Sequence, residues 1–235
     1  VDYLCWPVAG ELRAGGDEAK ALTLLEEFLT SKHTPESLEG RRALAEAHYL
    51  AGEIHEKSDR IDAASESYDR AYGFDSRHKR AALKIVERTF TTSSPTDPSR
   101  VPCYIAYAAA GRDPKLRHAV LKRLQELLRV RLIDRPETLH WRMGQLEALS
   151  GVLPNINYPK LYLGRANYLV GKWKEAVNRL NALVGTAAET HDVLNILGRC
   201  HEKLGEWPQA LAAYEKSLRL VPHQAGIHFR IGRIE

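Results

Sequence analysis

Arg165, Arg199 and Arg233 stand at intervals of 34 residues, each directly after a glycine. A guanidinium group is a planar fork of donors that binds carboxylates and phosphates bidentately, so a regular series of them suits an anionic partner. The competing reading is a set of solvated surface arginines paired with neighbours such as Asp192 or Glu202. No other chemistry-bearing residues form such a series. His48 and His55, seven residues apart, can share one side of a helix, yet ordinary helix positions explain them better than a metal site does. Cys5, Cys103 and Cys200 are spaced like neither a disulfide framework nor a zinc site, and they read as small core residues in a reducing compartment. There is no glycine-rich phosphate cradle, His-Glu-x-x-His run, nucleophile elbow or Cys/His cluster, and Gly15-Gly16 is a turn. We expect no catalytic residue, metal or cofactor in this segment, and leave open an enzyme in a longer parent chain.

The arginines are one column of a longer internal repeat. A shift of 34 residues superposes Leu163-Gly164-Arg165 on Leu197-Gly198-Arg199 and on Ile231-Gly232-Arg233. It also carries Gly171 to Gly205, Trp173 to Trp207, Ala176 to Ala210 and Leu180 to Tyr214. Each position has a physical reason. Gly164 and Gly198 fall inside a helix, where glycine costs about 1 kcal/mol against alanine, so close approach of another helix must require the missing side chain. Gly171 and Gly205 end the first helix, and Pro208 suits the first turn of the second. Ala176 and Ala210 let two helices cross closely, with Trp173, Trp207 and Tyr214 expected to fill the space between hairpins.

This pattern resembles the tetratricopeptide repeat (TPR) family, whose unit of 34 residues is a helix, a tight turn and a second antiparallel helix. The resemblance covers 157–190, 191–224 and the start of another unit at 225. It implies an all-α fold, an α-solenoid of antiparallel helix hairpins with an irregular middle. It also implies that the first helix of each hairpin lines a concave groove. On that basis Arg165, Arg199 and Arg233 form a ladder with rungs roughly 10 Å apart, a spacing set by helix packing. Tyr158, Leu161, Tyr168, Asn195 and Phe229 are expected beside them, a mixture of aromatic, apolar and polar groups that suits a peptide-holding groove. The lysine and asparagine pattern by which some family members clamp a terminal carboxylate is not reproduced, because Arg165 and Gly226 depart from it.

Toward the N-terminus the unit is fainter. Gly52, Ala64, Tyr68, Ala71 and Asp75 fit a unit at 45–78, and Gly16, Ala21, Leu22, Leu25, Phe28 and Leu29 fit a weaker one at about 2–35. Together these make an N-terminal block, 1–88, whose groove residues Glu46, Tyr49, Glu53, Glu56 and Lys57 are mainly acidic. A helix start is expected at Thr34-Pro35-Glu36. Residues 89–102, rich in Thr, Ser and Pro, read as a loop or joint. Residues 103–156 read as an irregular helical, basic segment. One helix there starts at Asp113-Pro114 and buries Leu116, Val120, Leu124, Leu127 and Leu128, and another follows from Pro136. The C-terminal block is 157–235.

Composition agrees with a helical protein: 44% hydrophobic and 27% charged over 235 residues. Residues 79–142 hold 14 Lys/Arg against 6 Asp/Glu, while the whole chain carries only +4. That basic middle could serve nucleic acid or a membrane surface, but its cations are diluted among acids and lack interleaved aromatics for base stacking, so a solvated helix face is the better reading. No apolar run approaches the roughly 18 residues of a membrane span, the first 30 residues lack signal-peptide order, and a cytoplasmic setting is expected. The chain begins without Met and stops inside a helical pattern, which suggests a fragment of a larger protein. The expected function is a non-catalytic scaffold that binds a protein or peptide, including another domain of its parent chain. Two other classes compete. One is an accessory TPR domain of a bacterial transferase, of the kind that builds cell-surface glycopolymers, positioning an anionic polymer or the catalytic domain. The other is a nucleic-acid-binding regulator.

Overall fold

The computed structural model describes residues 5–30, 37–92 and 97–234, and these contain helices and no strand. The chain divides into two compact units, Val1–Leu121 and Lys122–Glu235. The N-terminal unit opens with α1 (Cys5–Ala14) and α2 (Glu18–Thr30), followed by α3 (Leu38–Lys57) and α4 (Ile61–Phe74). Then come α5 (Lys79–Thr92) and α6 (Val101–Ala110). The sharp reversal between α1 and α2 needs a left-handed residue, which Gly16 supplies at φ 88°. Ala9, Ala21, Leu22, Leu25, Phe28, Leu50 and Ile54 then form one core across α1, α2 and α3. The small residues at 9, 21, 47 and 51 let these helices meet closely, and each bulky member contributes about 1.5–3 kcal/mol by leaving water.

Helix α3 is capped by Ser37, whose hydroxyl accepts from the Gly40 N–H at 3.0 Å. The start expected at Thr34-Pro35-Glu36 lies outside the described residues. Helices α3 and α4 form a close hairpin because Gly52 has no side chain: a Cβ there would come within 2.7 Å of the Tyr68 ring. The turn between them uses Asp59 at φ 57°. This position corresponds to Gly171 and Gly205, at φ 80° and 74°, so an L-residue here occupies a slot that glycine fills in the other units.

Helix α7 (Pro114–Leu127) starts where the sequence predicts, with the Asp113 carboxylate accepting from the Lys115 N–H at 2.8 Å. Val120, Leu124 and Leu128 are buried as expected. The C-terminal unit continues with α8 (His140–Val152), α9 (Tyr158–Leu169) and α10 (Trp173–Asn181), then α11 (His191–Leu204), α12 (Trp207–Leu220) and α13 (Ala225–Ile234). Helix α8 packs on α9, α9 pairs with α10, and α11 pairs with α12. The glycine device recurs: a Cβ on Gly164 would meet Leu180 at 2.5 Å, and one on Gly198 would meet the Tyr214 ring at 2.3 Å. Ala176, Leu180, Leu183, Val193, Ile196, Leu197 and Cys200 make the core between the two hairpins. Cys200 is thus a packing residue, and burial pushes its thiol up to about 12.

Three details differ from the sequence reading. Residues 89–102 are not one loop: α5 continues to Thr92, a 3₁₀ turn capped by Asp97 spans Pro98–Arg100, and Val101-Pro102 opens α6. Ala81, Ala82, Ile85 and Val86 set a buried helical stripe in α5, and the helix they anchor runs on to Thr92. Trp207 keeps 49% of its surface exposed, so it does not fill an interhelical space as Trp173 does. Helix α8 begins at His140, after a 3₁₀ turn at Pro136–Thr138, and Trp141 on it is exposed.

Candidate partner-binding surface

In each unit the first helix of a hairpin presents its polar residues at positions set by the helix-packing glycine. The N-terminal set is already occupied. The Glu46 carboxylate receives the Arg80 guanidinium at 2.6 and 2.8 Å and lies 3.4 Å from the His78 imidazole. The nearby His78 imidazole and the charge of Arg80 hold that carboxyl below the usual range, against its burial. Glu53 pairs with Arg13 and accepts from the Tyr49 hydroxyl. Glu56 accepts from Tyr68 at 2.8 Å and Lys84 at 2.7 Å, and Lys57 reaches Glu18 at 2.5 Å. The acidic groove read from the sequence is therefore neutralised by cations of neighbouring helices.

The C-terminal set is mixed. The Arg165 side chain is largely buried: one Nη donates to Asp192 at 3.1 Å, the other to the Val130 carbonyl at 3.2 Å, and the guanidinium lies 5.8 Å from the Tyr162 ring centroid. Its neighbours close this rung of the expected ladder. Arg199 is half-buried, and it makes no hydrogen bond or ion pair among the described residues; its Nε is buried with no partner. A buried donor left unpaired costs about 1–3 kcal/mol, so the site would gain from an acceptor. Arg233 is exposed near the end of α13.

The remaining expected groove residues differ in availability. Leu161 and Tyr168 are half-buried and pack against the interhairpin core. The Tyr158 ring lies 5.7 Å from that of Tyr162, and its buried hydroxyl has no partner. Asn195 donates to the Gln224 side chain at 2.7 Å while its Oδ1 stays buried and unpaired. Phe229 is 68% exposed, an unusual state for a phenyl ring. Of the expected groove residues on α9, α11 and α13, Arg199, Arg233 and Phe229 are thus the accessible ones, with Tyr158 and Asn195 at the margin.

Sequence reasoning missed a recurring brace. Glu56 and Glu202 each stand four residues after the glycine of their helix, and each binds a cation 28 residues further on: Lys84 at 2.7 Å and Arg230 at 2.6 Å. Tyr68, the ring packed on Gly52, donates its phenol to the same carboxylate, whereas the buried Tyr214 hydroxyl has no hydrogen-bond partner. Burial first, and then Glu202, push the Tyr214 phenol upward. The α9–α10 hairpin and the α11 that follows it hold Tyr168, Leu180 and Ile196 at the same three positions and fill the space with apolar atoms. Only comparing unit with unit, glycine by glycine, exposes this exchange of a charged brace for an apolar one. Some cations of the basic middle are also engaged: Arg100 is bidentate to Asp69, Arg142 pairs with Asp134 at 2.9 Å, and Arg117 donates to the Ala108 carbonyl. Among the described residues, no group of three or more His, Cys, Asp or Glu is placed to hold a metal ion, and no helix is long and apolar enough to cross a membrane.

Stacked helical hairpins closed by a glycine against a bulky ring or leucine, on a 34-residue period, define a fold of the tetratricopeptide-repeat class. Comparison with known families agrees: residues 45–78 and 162–225 each match a tetratricopeptide repeat. Among solved structures, a thermophilic TPR protein of Thermus thermophilus is 18% identical, covering 98% of this chain and 96% of that one at a TM-score of 0.36. YrrB, described as a TPR protein with an unusual peptide-binding site, is 13% identical over 97% and 90%, with a TM-score of 0.38. PilW, a widely conserved type IV pilus biogenesis factor, is 14% identical over 97% of each chain, with a TM-score of 0.37. A search of curated proteins found no match.

Proposed function

We propose that this chain is a non-catalytic helical-repeat scaffold, working in the cytoplasm, that holds a protein or peptide partner along the first-helix face of its C-terminal unit. One observation carries the reading: that face keeps the half-buried, unpaired Arg199 and the exposed Phe229, whereas the equivalent polar residues on α3 are paired within the chain. A half-buried arginine and an exposed aromatic on the same face are residue types that anchor interfaces. An extended anionic polymer is a weaker reading, because Asp192 and Val130 already hold Arg165 and interrupt the ladder such a polymer would track. Nucleic acid is weaker again, since the basic stretch 100–142 lacks interleaved aromatics for base stacking, and Arg100 and Arg142 would have to give up internal partners to meet phosphates.

The test is peptide display on the immobilised chain, followed by affinity measurement of the selected sequences. Arg199→Ala and Phe229→Ala should each weaken binding about tenfold, as the loss of an anchoring side chain does, while Arg77→Ala should leave it unchanged. Selected peptides indifferent to both substitutions at 199 and 229 would sink the proposal.

A further inference from the structure

The first two rungs of the arginine series differ in one residue. Arg165 on α9 meets Asp192, 27 residues later, at the start of α11. Arg199 sits one repeat further along, and the residue 27 after it, at the start of α13, is Gly226. The two helices are aligned there: Asn195, one turn before Arg199, bonds Gln224 at 2.7 Å, and Glu202, almost one turn after it, bonds Arg230 at 2.6 Å. Arg199 therefore lies between two crosslinks to the α13 edge, opposite a residue with no side chain. Glu202, three residues on, is taken by Arg230, and the Gln224 amide is spent on Ser217 and Val221 as well as on Asn195. In Arg165 the Nε is likewise buried and unpaired while both Nη atoms are bonded; in Arg199 the Nη atoms are unbonded too.

From this asymmetry we propose that Arg199 is a subsite for a carboxylate side chain of the bound partner, an Asp or Glu of a peptide, which takes the place that Asp192 fills beside Arg165. The inference rests on the reading of this face as a peptide-holding surface and adds the chemistry of one anchor residue. A carboxylate offers the Nη pair a bidentate acceptor, and the exposed Phe229 on α13 gives the same peptide an apolar contact.

The test closes the gap from within. Gly226→Asp restores the acid of the other repeat, and it should not disturb folding: a Cβ at this position meets nothing within 4 Å, and the first turn of a helix favours an acid. The probes are hexaglutamate, hexaglutamine and inorganic phosphate, and the readout is the Arg Nε–Hε signals in nitrogen-15 NMR of the full chain. Hexaglutamate should shift the Arg199 signal saturably, and hexaglutamine should not. Gly226→Asp should weaken the hexaglutamate effect about tenfold. Arg165 should stay silent, and Asp192→Asn should make it respond. An Arg199 signal that ignores hexaglutamate, follows phosphate alone, or responds equally in Gly226→Asp overturns the subsite, as does an Arg165 signal that stays silent in Asp192→Asn. The broader reading fails separately: if hexaglutamate occupies Arg199 but display yields no peptide dependent on Phe229, the subsite stands and the peptide surface falls. If peptides bind through Phe229 but are indifferent to Gly226→Asp, the surface stands and the subsite falls.

Discussion

Replacing the helix-packing glycines one at a time by alanine should give a graded series that reads the hairpin contacts directly. In an unconstrained helix interior the change stabilises by about 1 kcal/mol. At Gly198 the new Cβ would lie 2.3 Å from a ring carbon of Tyr214, a fully buried side chain with no room to retreat. Overpacking of this kind costs about 1–3 kcal/mol and more for rigid neighbours, so Gly198→Ala should lose about 1–2 kcal/mol net. Gly52→Ala, at 2.7 Å from the Tyr68 ring, should lose slightly less. Gly164→Ala meets Leu180 at 2.5 Å, but a leucine can change rotamer, and a loss near 1 kcal/mol is expected. Gly232 occupies the same register on α13 with nothing within 4 Å, so Gly232→Ala should be neutral or stabilise by up to about 1 kcal/mol. Urea unfolding followed by circular dichroism would separate the extremes by about 1 M in midpoint if the slope is about 2 kcal/mol per M. Four equal shifts, or a raised midpoint for Gly198→Ala, would refute the link between glycine and close hairpin packing.

Acid should destabilise the N-terminal unit through His48. Burial, with Arg70 adding and Glu66 opposing, brings its pKa down to about 4, and the ring stacks on Phe74 at 5.4 Å. The folded state holds it neutral, so its contribution is intact above pH 6.5 and is lost as pH falls toward 4, at most about 3 kcal/mol; in His48→Gln that slope of stability with pH should disappear. Asp59→Gly should raise the urea midpoint by the equivalent of roughly 0.5–1 kcal/mol, because glycine adopts the left-handed turn without strain. A loss of stability would show that the Asp59 side chain, not its backbone angle, matters. A double-mutant cycle on Glu202→Gln and Arg230→Met should return a coupling of about 1 kcal/mol, and additivity within about 0.3 kcal/mol would remove the brace as a stabilising feature.

The hairpins were legible in the sequence because the fold demands specific residue types at fixed spacing. Gly164 with Leu180 and Gly198 with Tyr214 must be paired for the helices to approach, and the same pairing reaches back to Gly52 with Tyr68. Helix continuity through Thr89–Thr92 was harder to see, because its Ser, Thr and Pro neighbours mark turns in any local reading. The site was legible only as a row of candidates. Arg165, Arg199 and Arg233 have identical local sequence signals, and what separates them is a partner far along the chain: Asp192 for the first, Gly226 where the second would find one. The acidic row on α3 hides its state for the same reason, since Arg80, Lys84 and Arg13 lie tens of residues away from the acids they neutralise.

Hydrogen exchange of the full chain with a display-selected peptide tests the central claim most directly. Protection on binding is expected in α9, α11 and α13, strongest around Arg199 and Phe229, and it should vanish with Arg199→Ala. Protection confined to α2 and α4 or to residues 114–152, or none on the three first helices at saturating peptide, would contradict a partner-binding surface there.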